Sequence, residues 1–225
     1  MLSAIRALPH WVEIAVVIAT AFGMFILGSI SAASAPSELT VYSAADFTSI
    51  AAYEIVVGTA LLAFLFARGW RIEALGFRSL HWRDGLDAAL LFAAVWSVAW
   101  AVHWMLGVFG APAGAASESG GLVDAQGVGI ATLIVFCLIN AGYEELFVCA
   151  YLVAAWRGPN LALGILLSAL VRLSYHLYQG PIALLSVLPF GLLLAWYFAR
   201  TRRIAALIAL HFALDMLALL PYARL

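Results

Sequence analysis

Ionisable side chains interrupt three apolar stretches in the second half of this 225-residue sequence. They come in pairs of residue types that exchange protons or bind metals: Glu144–Glu145, Arg172–His176 and His211–Asp215. The second and third pairs are each spaced four residues apart, which puts both members on one face of a helix. Carboxylates and imidazoles act as general acids and bases in hydrolysis, and they also bind divalent metals. These residues therefore define a candidate site for acid–base or metal chemistry.

The apolar stretches that must position these residues are predicted to be membrane-spanning helices. Hydrophobic residues make up 66% of the sequence and charged residues 10%, whereas an average globular domain has about 25% charged residues. That leaves too little polar surface for a water-soluble body. A hydrocarbon core of about 30 Å calls for about 20 apolar residues per helix. The sequence predicts an all-α multispan transmembrane bundle that forms one membrane domain over residues 1–225, with seven spans at about 11–33, 48–67, 86–109, 128–156, 161–179, 182–199 and 204–221.

The arginines predict the direction of the helices. If the seven spans alternate, nine of the eleven arginines lie on one side: Arg6, Arg68, Arg71, Arg78, Arg83, Arg157, Arg200, Arg202 and Arg203. Arginine is enriched in cytoplasmic loops, so we expect the N-terminus to be cytoplasmic. The segment 68–84 alternates apolar and arginine residues, and it is a candidate for an eighth, re-entrant or interfacial helix. The formal net charge of -1 and the absence of a basic face argue against a nucleic-acid partner.

The remaining ionisable residues would be costly inside a bilayer. Insertion scales assign about 2.5–3.5 kcal/mol to an ionised Asp, Lys or Arg at a helix centre. Such groups are tolerated when they face the interior of the bundle and pair with each other. At a rise of about 1.5 Å per residue, the three pairs lie near mid-membrane and within about a dozen ångströms of one another in depth. We therefore expect them to meet in one polar intramembrane cavity.

The three patterns together resemble the CAAX protease and bacteriocin-processing family, also called the ABI family, over about residues 128–219. That family has paired glutamates in one helix, a histidine in the next and His-x-x-x-Asp/Asn in the last. The resemblance implies an intramembrane endopeptidase in which Glu144 and His176 hold and deprotonate a water, and Glu145 supports them. It implies that His211 donates to the oxyanion together with the residue at Asp215.

The resemblance also implies the surroundings of the reaction. The site would be free of metal and of other cofactors. The substrate would be a peptide or protein at the lipid bilayer, and a prenylated peptide, a leader peptide and another membrane peptide all stay open. The protein would be a multi-pass component of a prokaryotic cytoplasmic membrane.

Two departures from the family pattern concern arginine. The first family motif is Glu-Glu-x-x-x-Arg, and its arginine position is Cys149 here. The second is Phe-x-x-x-His, and its phenylalanine position is Arg172. One arginine is lost and another gained, each one turn from the polar residue it accompanies. We hypothesise that the guanidinium has moved between the helices and that Arg172 still neutralises or orients the two glutamates.

A third departure is Asp215, at a position where the family often has asparagine. An ionised aspartate cannot donate a hydrogen bond. Asp215 is therefore expected either to orient His211 or to stay protonated in its apolar setting.

Other functions compete with this interpretation. A divalent metal bound by Glu144, His176 and His211 is stereochemically possible, although the chain has no His-Glu-x-x-His pattern. Vicinal glutamates in a span could instead be the ion or proton site of a small transporter, but no inverted repeat supports that function. The missing first-motif arginine leaves a catalytically inactive membrane scaffold or immunity protein as a further alternative.

Several other residues are given structural interpretations. Glu54, in the second span, is interpreted as an acid that faces the bundle rather than a catalytic one. Cys149 is a poor candidate nucleophile, because apolar surroundings disfavour the thiolate. Tyr143, Tyr175 and Tyr178 are either hydrogen-bond donors into the cavity or core aromatics.

Overall fold

A computed structural model describes residues 6–34, 40–108, 123–124, 127–156, 160–180 and 182–224. Its main helices are α1 His10–Ala33, α2 Ala44–Ala67, α3 Trp82–Val108, α4 Ile130–Ala155, α5 Leu161–Ser174, α6 Ile182–Thr201 and α7 Ala205–Leu219. Single turns of 3₁₀ helix occur at Ile72–Leu75, Leu177–Gln179 and Leu220–Tyr222. The prediction of an all-α multispan bundle is confirmed.

Helix α4 forms the centre of the bundle. Every residue from Glu145 to Ala154 in this helix is buried, and aromatic residues of α1, α2 and α6 pack around it. The outer faces of the surrounding helices carry large exposed apolar side chains, among them Leu27, Val56 and Leu90. Such an apolar exterior suits a hydrocarbon environment and leaves the polar residues of α4 enclosed.

In the described part of the chain, five helices are long and apolar enough to cross a membrane: α1, α2, residues Trp82–Val102 of α3, α4 and α6. The other two are shorter than predicted. Helix α5 has 14 residues and α7 has 15, which correspond to about 21 and 23 Å. The spans predicted at 161–179 and 204–221 therefore end early, at Ser174 and Leu219.

The end of α5 has a local cause in His176. The side chain of His176 hydrogen-bonds through Nδ1 to the carbonyl oxygen of Arg172, at 2.9 Å. That carbonyl would otherwise accept the next α-helical amide, and the amide of His176 turns instead to the carbonyl of Leu173, at 3.0 Å. The histidine thus replaces a helix hydrogen bond and places itself in the turn after the helix.

The eighth helix considered for residues 68–84 does not form. Before α3 begins at Trp82, this segment contains only the 3₁₀ turn Ile72–Leu75, which ends at Gly76 with a φ of 87°. A Cβ on Gly76 would lie 2.5 Å from the ring of Phe198, and the Gly76 carbonyl accepts the amide of Ile204 at 3.2 Å. Close packing against the α6–α7 connection, with a left-handed residue in the middle, prevents a continuous helix.

Contacts between loops follow the predicted alternation of the spans. On one side Arg203, between α6 and α7, forms an ion pair with Asp84 at the start of α3. Hydrogen bonding to that carboxylate raises the pKa of Arg203. On the other side two short parallel ladders pair Thr40–Val41 with Val123–Asp124, and Val128–Gly129 with Ala223–Arg224. Each of these contacts joins loops that are predicted to lie on the same side. Arg157, which was predicted on the side of Arg203, lies outside the described residues.

A buried carboxylate anchors the first of these two sides. Glu13 of α1 accepts hydrogen bonds from Arg68 Nε at 2.5 Å, Trp70 Nε1 at 3.0 Å and the Tyr151 hydroxyl at 3.0 Å. These donors come from the connection after α2 and from the C-terminal part of α4. Since a buried charge is stable only when it is fully paired, Glu13 fixes α1 and this connection against α4.

Replacing Glu13 with alanine should therefore destabilise the protein strongly. The change leaves the buried Arg68 without its carboxylate, and losing one partner of a buried ion pair costs about 3–5 kcal/mol. Thermal unfolding in detergent measures the effect. Glu73→Ala is the matched control, because Glu73 also pairs with an arginine, Arg71, but at an exposed site. The control should unfold close to the wild-type temperature; equal effects of the two substitutions would contradict the anchoring role.

Candidate active site

The paired glutamates lie where α4 changes its hydrogen-bonding pattern. Residues Ile130–Glu144 are α-helical, and Glu145–Tyr151 form a π-helix. A π-helix bonds residues five apart and is frequently found at functional sites. Cys149 follows Glu145 by four residues, which is close to one turn of this wider helix.

Arg172 of α5 joins the two glutamates. Its Nη1 donates to Glu144 Oε2 at 3.1 Å and its Nη2 donates to Glu145 Oε1 at 2.6 Å. The guanidinium is buried, at 1% exposure, and lies over the ring of Phe190 in α6, 5.2 Å from the ring centroid. A planar fork of donors suits this double contact, which a lysine could not reproduce.

Glu144 has a second donor in Tyr175. The Tyr175 hydroxyl donates to Glu144 Oε2 at 2.5 Å, so one carboxylate oxygen accepts from both an arginine and a tyrosine. The Glu144 side chain keeps 12% of its surface exposed, whereas that of Glu145 has none. Of the two acids, Glu144 is thus the one that a small molecule can reach.

His176 lies in the turn directly after α5. A carbonyl oxygen only accepts hydrogen bonds, so the contact with Arg172 requires the hydrogen of His176 to be on Nδ1. The lone pair is then on Nε2. The imidazole interacts electrostatically with Glu144 and His211, which places it with the residues of α4 and α7. A histidine held in one tautomer by its own backbone is oriented to accept a proton at the other nitrogen.

His211 of α7 lies between carboxylates. Its Nδ1 is 2.7 Å from Glu145 Oε1, and its Nε2 is 3.4 Å from Asp215 Oδ1 and 4.0 Å from Glu144 Oε2. Asp215 in turn accepts from the amide nitrogen of Asn140 at 3.1 Å. The contact with His211 and the amide donor of Asn140 suit the orienting role expected of Asp215.

Residues from the sequence-predicted set thus come together, and others join them. Glu144, Glu145, Arg172, His211 and Asp215 form one connected network, with His176 beside it. Tyr175 and Asn140 donate to its carboxylates, and Glu54 lies close to it without a hydrogen bond or ion pair among the described residues. The sequence analysis named Tyr175 as a possible donor into the cavity and Glu54 as an acid inside an apolar span. Asn140 is a residue type that occurs in many helices, so nothing in the sequence marked it.

The remaining candidates have other surroundings. Cys149 is a free thiol, buried at 1% exposure, and it interacts electrostatically with Glu145 and Arg172. Tyr143 donates to the carbonyl of Ala21 at 2.9 Å and packs in the core, so its hydroxyl does not serve the site.

Three buried polar atoms near the network have no hydrogen-bond partner within the described part of the chain: Glu54 Oε2, Glu145 Oε2 and Arg172 Nε. An unsatisfied buried donor or acceptor costs about 1–3 kcal/mol. Native proteins contain few such atoms, and a catalytic role is one of the accepted reasons for them. Their concentration here marks the network as a site that receives further polar groups. As for metals, no group of three His, Cys, Asp or Glu side chains among the described residues has the arrangement to hold an ion.

The comparison with known families covers the same residues. The model of the Rce1-like family, described as type II CAAX prenyl endopeptidase Rce1-like, matches residues 126–217. Over this segment the chain is similar to that family of CAAX proteases. The match confirms the resemblance drawn from the motifs, and it spans α4 to most of α7 but not α2, which carries Glu54. No curated protein and no solved structure matches the chain.

A double-mutant cycle tests whether Arg172 replaces the family's first-motif arginine at position 149. Arg172→Phe alone removes the cation from two buried carboxylates and should cost about 3–5 kcal/mol. Cys149→Arg alone adds a second guanidinium beside the first. The double variant should be more stable than the two single effects predict, by a coupling energy of about 0.5–3 kcal/mol in thermal unfolding.

Cys137→Arg, combined with Arg172→Phe, is the matched control for this cycle. Cys137 is the other buried cysteine of α4, but it lies before the glutamates in the helix. Arginine there should restore nothing. A double variant at positions 149 and 172 that is no more stable than the sum of its single effects would rule out compensation.

Proposed function

We propose that this chain is an intramembrane endopeptidase that hydrolyses a peptide bond with a water activated by Glu144 and His176. The supporting observation is the position of Arg172. Its side chain binds both glutamates, and its carbonyl oxygen accepts the hydrogen of His176. One residue therefore holds the acid and the base of the site in fixed positions, which is the preorganisation that proton transfer requires.

Water activation would involve the two reachable groups. Glu144 is partly exposed, and Arg172 and Tyr175 hold its Oε2. His176 presents the lone pair of Nε2. A water between them can lose its proton to one of these groups while its oxygen attacks the carbonyl carbon of the substrate. Glu145 is fully buried and paired with Arg172 and His211, so it would support the charges without touching the water.

His211 would stabilise the tetrahedral intermediate. Carboxylates lie around its imidazole, and they complement a positive charge on the ring. An imidazolium donates from both nitrogens, so Nε2–H can bind the oxyanion while Nδ1–H stays on Glu145. Asp215, which contacts the same Nε2, would orient the ring until the substrate arrives. Collapse of the intermediate breaks the carbon–nitrogen bond, and the proton taken from water passes to the leaving nitrogen.

The substrate would be a peptide or protein segment at the bilayer. The matched family is named for the cleavage of prenylated CAAX peptides, and such a peptide is one candidate for this chain. A leader peptide is the other. We further propose that the protein lies in a prokaryotic cytoplasmic membrane with its N-terminus inside, as the arginine distribution indicates.

Glu144→Ala and His176→Ala should each abolish cleavage of a membrane peptide by the purified protein in liposomes. The loss of a general acid or base lowers the rate by about 10²–10⁴-fold. Product formation followed by mass spectrometry measures the effect. Tyr143→Phe is the matched control, because it changes the residue beside Glu144 but removes a hydroxyl that binds the Ala21 carbonyl. This control should cleave at the wild-type rate.

Other results would support the competing functions. A transporter would show substrate flux across proteoliposomes that depends on Glu144 and would release no cleaved peptide. An inactive scaffold would keep its cellular phenotype in both alanine variants. Cleavage that continues in Glu144→Ala would reject the proposed mechanism.

A further inference from the structure

Glu54 comes from α2, outside the segment matched by the family model, and yet it faces the candidate active site. The face of α2 that carries it packs on α4. One turn further along α2, a Cβ on Gly58 would lie 3.3 Å from the ring of Tyr143 and 3.6 Å from that of Phe147. Glu54 is buried at 2% exposure and interacts electrostatically with Glu144, Asp215 and His211.

Glu54 differs from the other buried acids of the protein in its partners. Its Oε2 has no hydrogen-bond partner, and no ion pair of Glu54 occurs among the described residues. Glu13 is buried to the same 2%, but it accepts from an arginine, a tryptophan and a tyrosine. Burying a carboxylate without such donors is strongly unfavourable, and the group then takes up a proton.

The balance of charge in the site leads to the same conclusion. The site contains four carboxyl groups, and its basic side chains are Arg172, His176 and His211. The Nδ1–H of His176 is bound to a backbone carbonyl, and as the base of the proposed reaction this histidine is neutral. With His211 charged, two positive charges face four acids. Glu145, Glu144 and Asp215 each contact at least one of these cations, and Glu54 contacts neither.

We infer that Glu54 is a protonated, neutral carboxyl in the resting protein. By holding a proton itself, Glu54 adds no fourth negative charge to the site and leaves Glu144 ionised for its role with the water. This benefit to Glu144 rests on the proposed function. The protonation of Glu54 does not, because it follows from burial and from the missing partners alone.

Infrared spectroscopy of the full chain in lipid nanodiscs tests the protonation directly. A protonated carboxyl gives a carbonyl stretch that is separate from carboxylate bands and shifts in heavy water. Glu54→Gln should remove such a band at neutral pH. Glu13→Gln is the matched control, since Glu13 is equally buried but paired as an anion, and this change should leave the band unaltered. A spectrum of Glu54→Gln in which the band persists would overturn the inference.

Peptide cleavage tests whether Glu54 takes part in the reaction. Glutamine has nearly the shape of protonated glutamate and is likewise neutral, so Glu54→Gln should cleave within about threefold of the wild-type rate. A loss in Glu54→Gln as large as that in Glu144→Ala would show that Glu54 transfers a proton itself, and would overturn the inference that it only keeps a fourth charge out of the site. If the wild-type chain cleaves no peptide, the proposed function fails, while the infrared result still decides the charge state of Glu54.

Discussion

The ion pairs between Arg172 and the two glutamates are the constraint on which the rest of the site depends. Two adjacent acids in the most buried helix of a membrane protein require a cation, and a guanidinium can bind both at once. The same residue brings in α5, whose end and whose histidine are fixed by the Arg172 carbonyl. Phe190 of α6 covers the guanidinium. Four of the seven helices thus meet where the charges are balanced, since α7 adds His211 to Glu145.

The sequence was sufficient to predict the class of fold and most of the network. Membrane helices follow from composition, and costly ionisable residues such as Arg172 and His211 are conspicuous within apolar runs. The family match over residues 126–217 agrees with the motifs that these residues form. The resemblance to the family's motifs also identified Arg172 as the candidate replacement for the arginine absent at Cys149.

Other features depend on tertiary contacts, which the pattern of apolar residues along a single helix does not reveal. The π-helix after Glu144 keeps the apolar character of an α-helical span, so nothing in the residue types signals the wider turn. The early end of α5 results from a single side-chain hydrogen bond by His176. Tyr175 and Asn140 gain a chemical role only through the carboxylates that they contact. The sequence shows Glu54 as an acid inside an apolar span, but the sequence of α2 alone does not show which helix this residue faces.

The two short helices have a consequence for how water reaches a site inside a bilayer. Helices α5 and α7 are about 21 and 23 Å long, several ångströms less than a hydrocarbon layer of about 30 Å. His176 lies just beyond the end of the first, and Asp215 lies about one turn before the end of the second. Irregular backbone at such depth is tolerated where protein covers it or where it lines a wet cavity. The two shortened helices therefore put irregular backbone next to the candidate active site, where the proposed hydrolysis would need water.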